Sequence, residues 1–101
     1  MYYLFYNCYS LESLDLSSFD TSKVISMEYI LYNCSKLSNI TFSVFKNTLT
    51  NDMKGMFAFC SGLISLDLSK FFTPNVQMMW DMFTWASSLT SLNLSSFDTL
   101  K

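Results

Sequence analysis

Residues of one type return every 26 positions along this chain. Cys8, Cys34 and Cys60 form one such column, and Ala86 takes its fourth place. Leu11, Leu37, Leu63 and Leu89 form another. Leu14, Ile40, Leu66 and Leu92 form a third, and Leu16, Phe42, Leu68 and Leu94 a fourth. Phe19, Phe45, Phe71 and Phe97 repeat without change of type, as do Met1, Met27, Met53 and Met79, and Ser17, Ser43, Ser69 and Ser95. No gap is needed, so the chain divides into units 1–26, 27–52, 53–78 and 79–101. A unit this short cannot bury its own apolar residues, and copies in series bury them by stacking.

Each unit has two halves. The first reads Leu11-Glu12-Ser13-Leu14-Asp15-Leu16, in which apolar and polar residues alternate as in a strand with one buried face. The second half places Val24, Met27, Ile30, Leu31 and Cys34 at spacings of three and four, the stripe of an amphipathic helix, either α or in part 3₁₀. Thr21, Asn47, Thr73 and Thr99 precede that stripe in one column, where each could cap a helix, and Pro74 follows Thr73 at the favoured first helical position. These patterns predict an α/β repeat with a short parallel sheet on one face and helical segments on the other. Its core would hold the columns through Leu14 and Met27.

Composition narrows the partners. Half of the residues are hydrophobic and 18% aromatic, enough to drive folding, while only 14% are charged and the net charge is -2. The basic residues are six scattered lysines, so neither nucleic acid nor an anionic membrane meets a basic patch. The apolar runs at 1–5 and 78–85 are too short for a transmembrane helix, and the first residues lack the basic and small-residue signals of a secretory leader.

Two strings carry a family resemblance. Leu11-x-x-Leu14-x-Leu16 has the strand core of leucine-rich repeats. Cys34-Ser35-x-Leu37, with Ser13-Leu14-Asp15-Leu16-Ser17-Ser18-Phe19-Asp20-Thr21-Ser22 and Met27, resembles the 26-residue repeat of bacterial surface proteins. That family takes in the BspA-like leucine-rich repeats and a domain of unknown function found in mycoplasma lipoproteins. The resemblance spans the whole chain. It implies a leucine-rich-repeat solenoid, a location at the cell surface or in secretion, and a role in adhesion or host contact. It supplies no catalytic residue. The second unit departs most, with Thr41-Phe42-Ser43-Val44-Phe45-Lys46-Asn47 in place of Asp-Leu-Ser-Ser-Phe-Asp-Thr.

Chemistry has little to work with. Without histidine, no Ser-His or Cys-His pair exists, and cysteines 26 apart do not have zinc-ligand spacing. The three cysteines are expected to be a buried, reduced ladder whose role Ala86 mimics. Asp15 and Asp67 share a column and are expected to be solvated acids rather than a catalytic pair. No enzyme activity, cofactor or metal is therefore expected. Two outward polar ladders, Ser13, Asn39, Ser65 and Ser91 beside Asp15, Thr41, Asp67 and Asn93, are candidate partner-binding residues. So are the outward aromatics Phe59 and Trp85, which share a column, with Trp80 at their flank and Tyr29 on the same side. The function expected is a surface interaction or adhesion module for a protein partner. The alternative is a structural spacer of a cell-surface stalk. A further expectation is that these units belong to a longer, uncapped array and that the isolated segment associates end to end.

Overall fold

The computed structural model describes residues 1–42, 45–46 and 49–97, with the backbone alone at Phe45 and Lys46. Short strands form where apolar and polar residues alternate, as in Ser13-Leu14-Asp15, and at two further two-residue stretches. These are β1 (Ser13–Asp15), β2 (Asn39–Thr41), β3 (Phe45–Lys46), β4 (Ser65–Asp67), β5 (Phe71–Phe72) and β6 (Ser91–Asn93). All pairing is parallel and between equivalent positions of different units. Leu14 lies opposite Ile40, Leu66 opposite Leu92, and Phe45 opposite Phe71. Isolated bridges from Ser26 to Asp52 and from Asp52 to Met78 continue the stacking.

Among the described residues, the helical segments do not form. In 27–34 the backbone N–H groups divide their bonds between two directions. Those of Met27, Tyr29, Leu31 and Asn33 donate forward to the carbonyls of Asp52, Lys54, Met56 and Ala58 in the next unit. Those of Ile30, Tyr32 and Cys34 donate back to Met27, Tyr29 and Leu31, closing tight turns. An α-helix would send every one of them four residues back. Two columns of left-handed residues enforce the difference. One is Tyr3, Tyr29, Gly55 and Asp81, and the other is Asn7, Asn33, Phe59 and Trp85, all with φ between 52° and 61°. A right-handed helix cannot pass through such residues. The stripe at spacings of three and four still faces inward, because successive tight turns bring round the same positions. Met27, Ile30, Leu31 and Cys34 are all buried.

The expected helix caps are therefore turn residues. Thr21 and Thr73 are buried, and their carbonyls accept from Val24 and Val76 across single turns. Pro74 is the second residue of the Thr73–Val76 turn, where its fixed φ suits the bend. Asn47 and Thr99 of that column lie outside the described residues.

Nor is the sheet continuous. Among the described residues it is three two-stranded pieces, β1–β2, β3–β5 and β4–β6, and β2 is not paired with β4. The α/β leucine-rich-repeat solenoid expected from the repeat is thus replaced by a stack of turns and short strand pairs. Its core is densest in the middle units, which have neighbours on both sides. Met27, Met53, Met56, Phe57, Leu63 and Leu68 are fully buried. In the Leu14 column, Leu66 is 5% exposed and Leu92 is 38% exposed, while Leu14 and Ile40 are half-buried.

The cysteine column has a polar role as well as an apolar one. The Cys34 thiol donates to the Phe5 carbonyl at 3.0 Å, and the Cys60 thiol to the Leu31 carbonyl at 3.1 Å. Each thiol therefore ties its unit to the previous one. Burial pushes the Cys34 thiol up to about 11 and the Cys60 thiol up to about 12. Both stay protonated, and the three cysteines are free of disulfides.

Candidate binding surfaces

The strands place the outward polar residues as the alternation requires. Ser13, Asp15, Asn39, Thr41, Ser65, Asp67, Ser91 and Asn93 are all exposed. Three of them are also committed to their own backbone. The side-chain oxygens of Asp15, Asp67 and Asn93 accept the N–H groups of Ser17, Ser69 and Ser95 at 2.8, 2.9 and 3.0 Å. This Asx turn brackets the end of each strand. Hydrogen bonds from the Ser17 hydroxyl and N–H hold the Asp15 carboxyl below the usual carboxylate range, and Ser69 does the same for Asp67. Both acids are fully ionised at neutral pH. Asp15 and Asp67 lie in different strand pairs and do not form a reacting couple.

Between the strand pairs lies a cleft of about 320 Å³. Asn39 and Thr41 of β2 line one wall, Ser65 and Asp67 of β4 the other, with Ile40 and Leu66 deeper and Lys70 at the rim. Four of the eight polar-ladder residues thus meet in one place. The other four stay on the outer strands β1 and β6.

A second surface runs along the turn side. Trp85 stacks on Phe59 with centroids 6.4 Å apart, and Phe59 meets Tyr32 at 5.2 Å. Tyr32 stacks on Tyr6 at 4.9 Å, Tyr6 meets Tyr3 at 5.1 Å, and Tyr3 meets Tyr2 at 5.8 Å. Tyr29 fills the angle between Tyr3 and Tyr32. The result is an unbroken path of ring contacts through all four units. Trp85 is 70% exposed and Phe59 36%. The four rings of Tyr3, Tyr6, Tyr29 and Tyr32 line a depression of about 230 Å³.

Trp80, 56% exposed, joins this strip through a cation. The Lys54 ammonium lies 4.6 Å from the Trp80 ring centre and 5.3 Å from that of Tyr29, and it forms an ion pair with Glu28. The hydrogen bond to Glu28 raises the Lys54 pKa, so the ammonium persists at any physiological pH. Because Glu28 balances that charge, the strip is apolar, edged by phenol hydroxyls. Gly55 makes room for it, since a Cβ there would overlap the Tyr29 ring. Phe59 and Trp85 stand out in the sequence as one column. Tyr29 stands on the same side in the sequence, whereas Tyr2, Tyr3, Tyr6 and Tyr32 escape a sequence reading, although Tyr3 with Tyr29 and Tyr6 with Tyr32 are also 26 apart. Further along, the Asn33 side-chain amide donates to Oδ1 of Asn7 at 3.1 Å, so this left-handed column changes from an asparagine rung to an aromatic one.

Among the described residues, no three or more His, Cys, Asp or Glu side chains converge as metal ligands, and no helix is long and apolar enough to cross a membrane. Comparison with curated proteins and with solved structures finds no match. A family model described as "Mycoplasma protein of unknown function, DUF285" matches residues 1–101, the full length of the chain. With the 26-residue period and a match end to end, the chain belongs to the DUF285 family of mycoplasma proteins.

Proposed function

We propose that this chain is an interaction or adhesion module that binds a protein partner through the aromatic strip on its turn side. The observation that carries the reading is the continuity of that strip. Rings from all four units touch in sequence, and those of Tyr2, Tyr3, Tyr6, Phe59 and Trp85 are exposed. Tyr and Trp offer large apolar area at little entropic cost, and they dominate the energetics of protein interfaces. Ring-to-ring packing fixes the side chains before any partner arrives, which lowers the cost of binding further. The resemblance to BspA-like surface repeats supports a location at the cell surface or in secretion, and contact with a host protein.

The exposed strand positions favour the rival reading, a spacer with no ligand. Asp15, Asp67 and Asn93 use their side chains to hold the chain's own turns. The two readings differ in what the aromatics do. Beads coated with the purified chain are scored for attachment to cultured animal cells, with and without trypsin treatment of the cells. A binding module gives trypsin-sensitive attachment that the Phe59→Ser/Trp85→Ser double variant loses while keeping its circular dichroism. Attachment that is absent, or indifferent to those substitutions, leaves the spacer as the correct reading.

A further inference from the structure

The cleft between β2 and β4 interrupts a pairing that the rest of the chain maintains. β1 pairs with β2 and β4 with β6 in one register, yet β2 and β4 stand one repeat apart and are not paired. The two units remain joined on either side of the gap. Phe45 pairs with Phe71 beyond it, and the Asn33 N–H donates to the Ala58 carbonyl before it. The opening is therefore a slot, about as long as the three-residue strands that flank it.

Backbone directions show what faces the slot. In a parallel pair, alternate residues turn their N–H and C=O groups to opposite edges. The Leu16 N–H donates to the Thr41 carbonyl, so Thr41 is turned towards β1 and Ile40 towards the slot. On the other wall, Leu68 donates to the Asn93 carbonyl and the Ile64 carbonyl accepts from Thr90. These residues face β6, and Ser65 and Asp67 present their main-chain groups to the slot. Two strand edges thus look at each other across a gap of about 320 Å³. The sequence supplies a cause. Phe42 stands where the other units carry Leu16, Leu68 and Leu94, and its ring lies edge-on to Phe71 at 4.8 Å. We attribute the gap to this larger side chain, acting as a wedge between the two units at that level.

We propose that this slot is a binding site for an extended peptide segment of a partner protein, which enters as a short parallel strand between β2 and β4. An unpaired strand edge is a template for another chain, and main-chain bonds supply the affinity in such additions. Small polar side chains at the mouth (Asn39, Thr41, Ser65, Asp67) and apolar ones behind (Ile40, Leu66) fit a segment that alternates polar and apolar residues. That is the pattern of the chain's own strands, which already pair with one another in parallel. A compact polar solute would meet some of these side chains but would leave the row of main-chain groups unused. The site is separate from the aromatic strip, so the two readings stand or fall independently.

The probe is a synthetic peptide of residues 11–17, Leu-Glu-Ser-Leu-Asp-Leu-Ser, blocked at both ends and titrated into the full 101-residue chain. Binding is followed by calorimetry and by amide hydrogen exchange. The expected result is saturable binding, with new protection at the amides of Ile40, Ser65 and Asp67. The same peptide N-methylated at its second leucine and at the serine before it, which keeps the side chains but blocks strand pairing, binds at least tenfold more weakly. Phe42→Leu, which removes the wedge, also weakens binding at least tenfold as β2 and β4 close on each other. Trp85→Ala leaves binding unchanged. The proposal is overturned if no saturable binding occurs, or if the N-methylated peptide binds equally well. Protection confined to the outer edges of β1 and β6, or loss of binding in Trp85→Ala, would also overturn it by placing the peptide elsewhere. Should Phe42→Leu fail to fold, the N-methylated peptide and the exchange pattern still decide.

Discussion

Substituting Gly55 by alanine separates a stack of tight turns from a stack of helices by the sign of its effect. In a helix interior, alanine is more stable than glycine by about 0.8–1.0 kcal/mol. Gly55 has a φ of +58°, where an L-residue with a Cβ costs roughly 1–2 kcal/mol. The new methyl would also overlap the Tyr29 ring. That ring is half-buried and can swing outward, but not without weakening its contacts with Tyr3 and Tyr32. An aromatic pair contributes about 0.5–1.5 kcal/mol beyond its buried area, and the equivalent of one pair is a fair measure of the loss. Gly55→Ala should therefore destabilise the chain by about 2–3 kcal/mol. Urea denaturation followed by far-ultraviolet circular dichroism measures this from the shift in midpoint at constant slope. Unchanged or increased stability would refute the left-handed turn at this position, and with it the backbone geometry that keeps the second half of each unit from coiling into a helix.

Three further outcomes follow from the same structure. Leu66→Ala removes three buried carbons, or about 2.4 kcal/mol of transfer energy, and because one side of Leu66 already borders the cleft the added cavity cost is small. A loss of about 2–3 kcal/mol is expected in urea, against less than about 1.5 kcal/mol for the more exposed Leu92→Ala, and a reversed order would show that the core is misplaced. In native buffer at pH 8, a thiol reagent should modify Cys8 first, leaving Cys34 and Cys60 unreacted until denaturant is added, and rapid modification of Cys60 would contradict its burial. The carboxyls of Asp15, Asp20 and Asp67 are held below their ordinary value, so their stabilisation is complete above the unfolded pKa of about 3.9 and is lost as pH falls through the folded ones. The urea midpoint should be level between pH 5 and 7 for these groups and fall below about pH 4, least in Asp67→Asn, which keeps the accepting oxygen as Asn93 does, and a midpoint that rises on acidification would contradict these turns.

What the sequence shows most directly is which residues go inside. Stacked copies bury equivalent positions whatever element they adopt, so the columns through Leu66, Met27 and Cys34 point to the core whether the second half of the unit is a helix or a run of turns. Apolar residues at spacings of three and four do not distinguish the two, because both bring the same side round at that interval. The distinction lies in where the N–H groups find their acceptors, and its sequence trace is faint. Asn7, Asn33 and Gly55 are the residue types that accept a left-handed φ most readily, and they fall in the two left-handed columns four residues apart. Tyr3, Tyr29, Phe59, Asp81 and Trp85 occupy the same columns and conceal them. Such residues hold that conformation only where the neighbouring units supply compensating bonds, as when Asn33 donates to Ala58 and Phe59 to Thr84. That compensation depends on contacts between copies, so no single unit reveals it.

The candidate sites divide along the same line. Phe59 and Trp85 are legible because one column places two large rings on consecutive units. The rest of the tyrosine part is obscured because Tyr3 with Tyr29 and Tyr6 with Tyr32 recur in only the first two units, before Gly55, Ala58, Asp81 and Thr84 take their columns. The cleft is least legible, and the wedge inferred at Phe42 shows in the sequence only as one departure from the repeat. Replacing Leu by Phe42 keeps the column apolar, so the pattern of burial survives the change. What changes is the spacing of two backbones, and strand pairing tolerates little variation from about 4.8 Å. A substitution that looks conservative in hydropathy can therefore remove a whole set of main-chain bonds. In a repeat protein this matters more than elsewhere, because each unit is otherwise a copy of its neighbour and presents the same surface. The unit that departs from the pattern is the one place where the stack acquires a feature its other units lack.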